Sequence, residues 1–380
     1  MLIILTSPDT IAPGGQPRTD IATALITAKA EGHPVAVISN RAKPAWFEST
    51  FGASRVQFLE HPGRQDGRVI QENAKRLGLN PYDVIVLAGK TEDIAMAKNG
   101  GALIVAAGWS TDNKVQNLGV PVKDGDELLE VLALTDAWSG KWWFTGNAVQ
   151  GGYSVRALAD LSSMYGQSDA QKVFATNLKN TVKSGGARLT ALLTVTARSL
   201  LKDGISEERE LFWGVYPSSK SANNDTEILS DFSHRLRTVA SRVQFARRGE
   251  PLFIRHRPSS KRSAGGSLNR NDPSEQLLTL HLNPFYKKKL LGRHVILLDD
   301  CTTYGVSFGV AAALLRRAGA RSMTAIALGK FGNCLSDYRI EIAVDPCAPL
   351  TKNGYTQQPL LPLHGITNEA AKVSLRSLVE

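Results

Sequence analysis

His294 to Ala320 reads HVILLDDCTTYGVSFGVAAALLRRAGA, and the rest of the 380-residue chain becomes legible outward from it. Val295-Ile296-Leu297-Leu298 is an apolar run with the length and branching of a fully buried strand. Asp299 and Asp300 follow at its carboxyl end, then a turn of small and hydroxylated residues around Gly305, interrupted by Tyr304. From Ser307 the spacing turns helical, with Phe308, Ala311, Ala312 and Leu315 on one side and Gly319 as the stop. A helix N-terminus carries unpaired N–H groups and partial positive charge, which suits a phosphate dianion. Thr302, Thr303 and Ser307 add hydroxyls, and Gly305 lets the chain approach closely. The two carboxylates would repel that phosphate. They suit ribose hydroxyls, or a Mg²⁺ that a pyrophosphate brings with it. A 5′-phosphate, a diol and a metal-bound pyrophosphate together describe phosphoribosyl pyrophosphate.

The segment resembles the signature of type I phosphoribosyltransferases: four apolar residues, two acids, then a Thr-Gly-small-Thr turn. On that resemblance Asp299 and Asp300 are the acidic pair at the reacting ribose, in direct or indirect contact with Mg²⁺. Thr302, Thr303, Tyr304, Gly305, Val306 and Ser307 form the 5′-phosphate loop, with Ser307 in place of Thr. Tyr304 departs from the pattern, since a small or hydroxylated residue is usual before the glycine. Its ring must point away from the phosphate or cover it. The likeness extends over about residues 205–348 and is specific only in the signature. Gly292-Arg293 and Ala318-Gly319 are similar to the competence-associated ComF-like branch. That branch's zinc-binding cysteines are missing, so its role in DNA uptake does not carry over.

Three further pieces take their expected roles from the same resemblance. Ser218, Ser219 and Lys220 follow a strand at Glu210–Tyr216 and fall where a pyrophosphate loop belongs; a helix follows from about Asp225. The stretch HRPSSKRSAGGSLNRNDPSEQ (256–276) falls where the family has a flexible basic loop that closes over the substrate and excludes water, with Lys261 and Arg262 as its catalytic cations. Lys330 and Phe331, at the end of the strand Met323–Leu328, are candidates to hold the accepting base. Read as composition alone, these are a polar turn, a glycine- and serine-rich loop and a strand end. Lys287-Lys288-Lys289 reads as a solvated surface.

Bulk properties frame these motifs. Hydrophobic residues make up 42% and charged residues 21%, as in a soluble protein with substantial cores. No apolar run reaches membrane-spanning length, and MLIILTSPDT has neither a basic lead nor a cleavage site. Cys301, Cys334 and Cys347 are odd in number and lack metal-ligand spacing, which points to a reducing cytoplasm. The net charge of +10 is uneven: residues 1–150 hold 14 basic and 16 acidic groups, leaving 31 and 19 for the remainder. That excess fits an anionic substrate or nucleic acid.

The amino-terminal half alternates strands (Met1–Leu5, Val35–Ile38, Val84–Leu87, Ala102–Ala106) with helices, which argues for a parallel sheet. VAVISN (35–40) and KRLGLNPYDVIVLAGKTEDIAMAKNGGALIVAAGW (75–109) resemble motifs of haloacid dehalogenase-like phosphatases, with Ser39 and Asp93 in register. The chemistry of that family is missing. Its nucleophile and general acid fall on Thr6 and Pro8, and a metal-binding acid falls on Gly89. Without them covalent phosphoryl transfer does not follow.

The expected architecture is therefore α/β: two doubly wound parallel-sheet domains, 1–135 and 205–380, joined by a helical segment at 136–204. Trp138, Trp142, Trp143 and Phe144 in that segment suit a packed interface better than base stacking. Three functions stay open: a Mg²⁺-dependent phosphoribosyltransferase acting on a nitrogenous base or nucleotide, a phosphoribosyl pyrophosphate or nucleotide-binding regulator without turnover, and a nucleic-acid-associated defence module. No interleaved aromatic–basic motif supports the last. A homo-oligomer with no membrane partner is expected.

Overall fold

The computed structural model describes residues 1–162, 167–240, 247–260 and 269–379. Lys261 and Arg262 lie outside the described residues. The chain divides into two compact units. One comprises Met1–Gly140, Thr190–Arg209 and His234–Arg242; the other comprises Lys141–Leu189, Glu210–Ser233 and Val243–Glu380.

The first unit is built on six parallel strands: β1 (Ile3–Thr6), β2 (Val35–Ser39), β3 (Gln57–Glu60), β4 (Val84–Ala88), β5 (Leu103–Ala107) and β6 (Val120–Val122), in the order β3-β2-β1-β4-β5-β6. β1, β2, β4 and β5 are buried along their whole length, as expected for unbroken Val/Ile/Leu runs covered on both faces. The helices are α1 (Pro8–Ile11), α2 (Thr19–Ala30), α3 (Trp46–Phe51), α4 (Arg68–Arg76), α5 (Thr91–Gly100), α6 (Asn113–Gln116) and α7 (Gly125–Ala137). α2 packs on α7 and α4 packs on α5. With right-handed crossovers the two pairs fall on opposite faces of the sheet. Gly67 makes the α4–α5 contact possible: its φ is +81°, and a Cβ there would come within 2.3 Å of the Gly100 backbone nitrogen. The strand order reverses beside β1, so the crevice of this unit opens at the carboxyl ends of β1 and β4.

The second unit holds a mixed sheet. β8 (Tyr153–Asp160), β13 (Ser322–Lys330), β12 (His294–Thr302) and β9 (Leu211–Val215) are parallel, in that order across the sheet. β7 (Phe144–Ala148) and the strand Gly365–Thr367 extend it antiparallel beyond β8. A separate two-stranded antiparallel ribbon pairs β10 (Phe253–Arg255) with β11 (Leu280–Leu282). Residues 144–160 thus form a strand hairpin where the apolar spacing had predicted helix. The reason is local: burial at Tyr153, Val155 and Ala157 alternates with partial exposure at Ser154 and Arg156, a period of two. The helical reading holds farther along, in α8 (Asp169–Ser184) and α9 (Ala187–Lys202). Trp138, Trp142, Trp143 and Phe144 are all buried. α10 (Ile228–Ala240), α11 (Ser274–Leu277), α12 (Val306–Arg317) and α13 (Glu369–Val379) complete the helices; α9 from Thr190 onward and α10 from His234 onward belong to the first unit. The core of this unit runs from Val295 and Leu297 through Phe308, Leu314 and Leu315 to Ala325 and Tyr338.

Candidate functional site

In the second unit, strand pairing places the sequence motifs beside one another at the carboxyl edge of the sheet. The Tyr216 N–H donates to the Leu298 carbonyl at 2.8 Å, so the loop after β9 leaves the sheet alongside the acidic pair. The other neighbour of β12 is β13, with Thr302 opposite Lys330. Such an edge, where parallel strands hand over to helix N-termini, is where α/β sheets bind ligands.

The acidic pair is asymmetric. Asp299 is 8% exposed, whereas Asp300 is half-buried. Burial, reinforced by the adjacent Asp300 charge, pushes the Asp299 carboxyl well above the usual carboxylate range, while the Ser307 hydroxyl opposes the shift by hydrogen bonding to it. Asp299 Oδ1 accepts from the Asp300 N–H at 2.9 Å, and Asp300 Oδ1 accepts from the Cys301 N–H at 2.6 Å. The Cys301 thiol is pushed up by burial and by both carboxylates, against the fields of Lys183 and Lys179 on α8. Two cations that the sequence did not single out therefore act at this edge.

After β12 the chain turns at Gly305, whose φ of +80° is the left-handed conformation that favours glycine. Gly305 is the N-cap of α12, and no side chain caps the first turn that Val306 and Ser307 open. Thr302 is buried, and its carbonyl accepts from the Phe331 N–H at 2.9 Å. Thr303 and Ser307 are half-buried. Tyr304, the departure from the resembled pattern, packs its ring against the hydrophobic core, and its carbonyl accepts from Ser336.

The loop after β9 is held by a residue that motif reading passed over. Arg255, 4% exposed at the end of β10, donates from Nε to the Ser218 carbonyl at 2.7 Å. Its two terminal nitrogens reach the Pro217 carbonyl, Thr279 Oγ1 and Gln276 Oε1. Asn223 bonds the Arg255 backbone in both directions. Ser259 N–H adds a bond to the Ser219 carbonyl at 3.0 Å. Ser218 donates its hydroxyl to Glu227, and Lys220 is exposed with no ion pair among the described residues. The only signal in sequence was a cation closing an otherwise apolar strand, LFIR.

Lys330 lies elsewhere than a base-contacting position would suggest. It is 1% exposed, with its ammonium 4.6 Å from the Phe144 ring centroid and 5.4 Å from that of Trp143, and it donates to the Gly332 carbonyl. Burial pulls its pKa down, and Asp160, its register partner on β8, acts in the opposite sense. Asp160 is itself paired with Lys372 of α13 at 2.6 Å. Phe331 is half-buried.

The fit to Mg²⁺ can be tested on the side chains. Among the described residues no group of three His, Cys, Asp or Glu side chains is placed to cage an ion. Asp300, the half-buried member of the acidic pair, fits an ion delivered by a polyphosphate, which needs only one or two protein carboxylates.

The crevice of the first unit is filled from within. Asp93, fully buried, pairs with Arg64 at 2.5 Å, and that guanidinium is itself only 5% exposed. Its other oxygen accepts from Ser7 and Thr10 hydroxyls and from the Gly89 and Lys90 N–H groups. A Cβ on Gly89 would lie 2.5 Å from Thr10 Oγ1, so the position where the phosphatase motif has an acid has no room for a side chain. Thr6 is turned to the Leu87 carbonyl, Ser39 Oγ accepts from the Arg41 N–H, and Asp9 pairs with Lys90. These residues do not fit a resident metal.

No helix among the described residues is long and apolar enough to cross a membrane. No protein-family model matches the chain, and no curated protein matches it. Among solved structures, the chain is similar to the cobalt-bound form of the deoxy-D-mannose-octulosonate 8-phosphate phosphatase from Haemophilus influenzae. The identity is 15%, over 37% of this chain and 91% of that one, with a TM-score of 0.29. It is also similar to a Streptomyces avermitilis protein described as a HAD family hydrolase, at 12% identity over 32% of this chain and 74% of that one, with a TM-score of 0.27.

Proposed function

We propose that the carboxyl edge of the second unit binds phosphoribosyl pyrophosphate as its Mg²⁺ complex and transfers ribose 5-phosphate to a nitrogen of a base, or runs the reverse phosphorolysis. The observation that supports this most is the adjacency of two loops. Asp300 and the Gly305 turn leave the sheet from β12, directly beside the Arg255-anchored Pro217–Lys220 loop. In this reading the first turn of α12, with Thr303 and Ser307, holds the 5′-phosphate. Asp300 accepts from the ribose diol, and Asp299 fixes the Asp300 backbone. Ser219 and Lys220 face the pyrophosphate. The base nitrogen attacks C1 of the ribose, the C1–O bond breaks with its electron pair leaving on pyrophosphate, and the nitrogen loses its proton to water. Asp300 would hold the Mg²⁺ that accompanies the substrate, and the ion would supply positive charge toward the leaving pyrophosphate. Lys220, Lys179 and Lys183 add positive potential at the same edge. Lys261 and Arg262 are proposed as the loop cations that exclude water during transfer.

A regulator without turnover is the second reading. The burial of Asp299 and its bond to Ser307 favour it, because they leave Asp300 as the one carboxylate open to the ribose. Isotope-labelled phosphoribosyl pyrophosphate incubated with a panel of bases decides between them. Labelled nucleotide is expected. Tight binding with no product from any base would establish the regulator, and no binding at all would overturn both. The first unit, with its crevice occupied by its own ion pair, is proposed to serve as a non-catalytic scaffold.

A further inference from the structure

At the amino ends of β9 and β12, the edge opposite the candidate site, the chain gathers cations around one aromatic ring. Phe285 lies in the turn after β11, with Lys289 Nζ 3.6 Å from its ring centroid and the Arg247 guanidinium carbon 5.9 Å from it. The turn is rigid. Tyr286, 1% exposed, stacks edge-on against Phe285 at 5.0 Å, donates its hydroxyl to the Glu250 carbonyl and accepts from the Arg247 N–H. Asn283 caps the turn through the Phe285 N–H.

The neighbouring cations are neutralised: Lys287 by Asp345, Arg248 by Asp231 and Arg293 by Glu210. Arg247, Lys288 and Lys289 have no acidic partner among the described residues, and all three are exposed. Glu250 accepts from Asn283. Three exposed charges without an acidic partner among the described residues suit a ligand that carries phosphates in series.

We infer that this face binds the phosphate backbone of nucleic acid, without reading its sequence. Base stacking is not part of the contact, because cations already lie over the Phe285 ring. An anionic bilayer fits less well. The turn holds Phe285 against Tyr286 instead of freeing it to insert.

The test uses the full-length protein and a fluorescently labelled mixed-sequence 20-nucleotide strand, with anisotropy followed across KCl concentrations. Three phosphate contacts predict an affinity loss of about 20-fold between 50 and 200 mM salt, since each contact on a single strand adds about 0.7 to the log–log slope. The triple variant Arg247→Gln/Lys288→Gln/Lys289→Gln should flatten that slope by about 2 and weaken binding at least about tenfold at low salt. A charge-matched control, Arg41→Gln/Lys75→Gln/Lys114→Gln, should bind nearly as the parent does, and unchanged thermal melting would exclude misfolding as the cause. Equal loss in both variants, no binding at 50 mM salt, or binding to phosphatidylserine-containing vesicles but not to the strand would each overturn the assignment.

Discussion

The two units treat the same topological position in opposite ways. Each brings parallel strands to a carboxyl edge where a loop opens a helix, the arrangement in which α/β folds hold anionic ligands. In the first unit that edge is closed by the protein's own charges: Asp93 takes five donors, one of them the buried Arg64 guanidinium. In the second, the Asp300 carboxylate, the Thr303 hydroxyl and the first turn of α12 keep bonding capacity, and Lys220 stands exposed. A crevice saturated internally contributes stability; one left unsaturated contributes binding.

The contrast makes its sharpest demand on Asp93. Asp93→Ala strands a buried guanidinium and should cost about 3–5 kcal/mol in urea unfolding, while leaving affinity for phosphoribosyl pyrophosphate within about twofold. An unchanged unfolding midpoint would dissolve the distinction between the two crevices.

Asp300→Asn is the complementary experiment. It removes one charged acceptor from a half-buried position, so calorimetric affinity for Mg²⁺–phosphoribosyl pyrophosphate should fall by about 1.5–3 kcal/mol. Stability should move by no more than about 0.5 kcal/mol. If the variant instead loses stability and keeps affinity, the second edge is structural like the first.

Gly305→Ala probes the turn itself. A non-glycine residue at φ +80° costs about 1–2 kcal/mol, and the added Cβ would sit 3.1 Å from Leu335 Cδ2. Denaturant melts should show that loss, accompanied by weaker phosphate binding; a neutral substitution would mean that the turn relaxes freely.

Lys98 gives the smallest effect and a distinctive pH dependence. Burial, with Arg237 nearby, pulls its pKa down to about 8. Below that pH the ammonium is charged in folded and unfolded chains alike, and partial burial opposes the charge. Between about pH 8 and the unfolded value near 10.4 the unfolded chain binds the extra proton, so stability rises with pH across that window. Lys98→Met should therefore gain up to about 1 kcal/mol at pH 7, discounted for its partial exposure. The gain should shrink toward pH 10 in chemical denaturation; a pH-independent difference would rule out the charge as its source.

How far the sequence could be read follows the range of the interactions involved. β4, β5 and the β12–α12 turn are specified by contiguous residues, and their apolar runs, acids and glycine are visible in order. The β7–β8 hairpin is hard to read because Leu158 and Leu161 also fit a helical spacing, while the alternation of Tyr153, Val155 and Ala157 is short. Arg64 and Asp93 lie 29 positions apart with no local pattern joining them, so the closure of the first crevice required the fold. Lys330 was legible as a strand-end cation, but its place over Trp143 and Phe144 depends on a strand paired through β8. Tyr304 stood out as an irregularity in the sequence, and the core explains where its ring goes.

Arg255 has a consequence for how tightly this edge can hold anything. By binding the carbonyls of Pro217 and Ser218 together with Gln276 and Thr279, it makes one body of two segments that would otherwise fluctuate separately. The conformational freedom of both is then already lost when the chain folds, and a ligand meeting either segment does not have to order the other. Lysine at 255 would keep the charge and lose the fork that reaches both sides at once. The cost would appear chiefly as a less favourable entropy of association, with most of the ligand's own contacts intact.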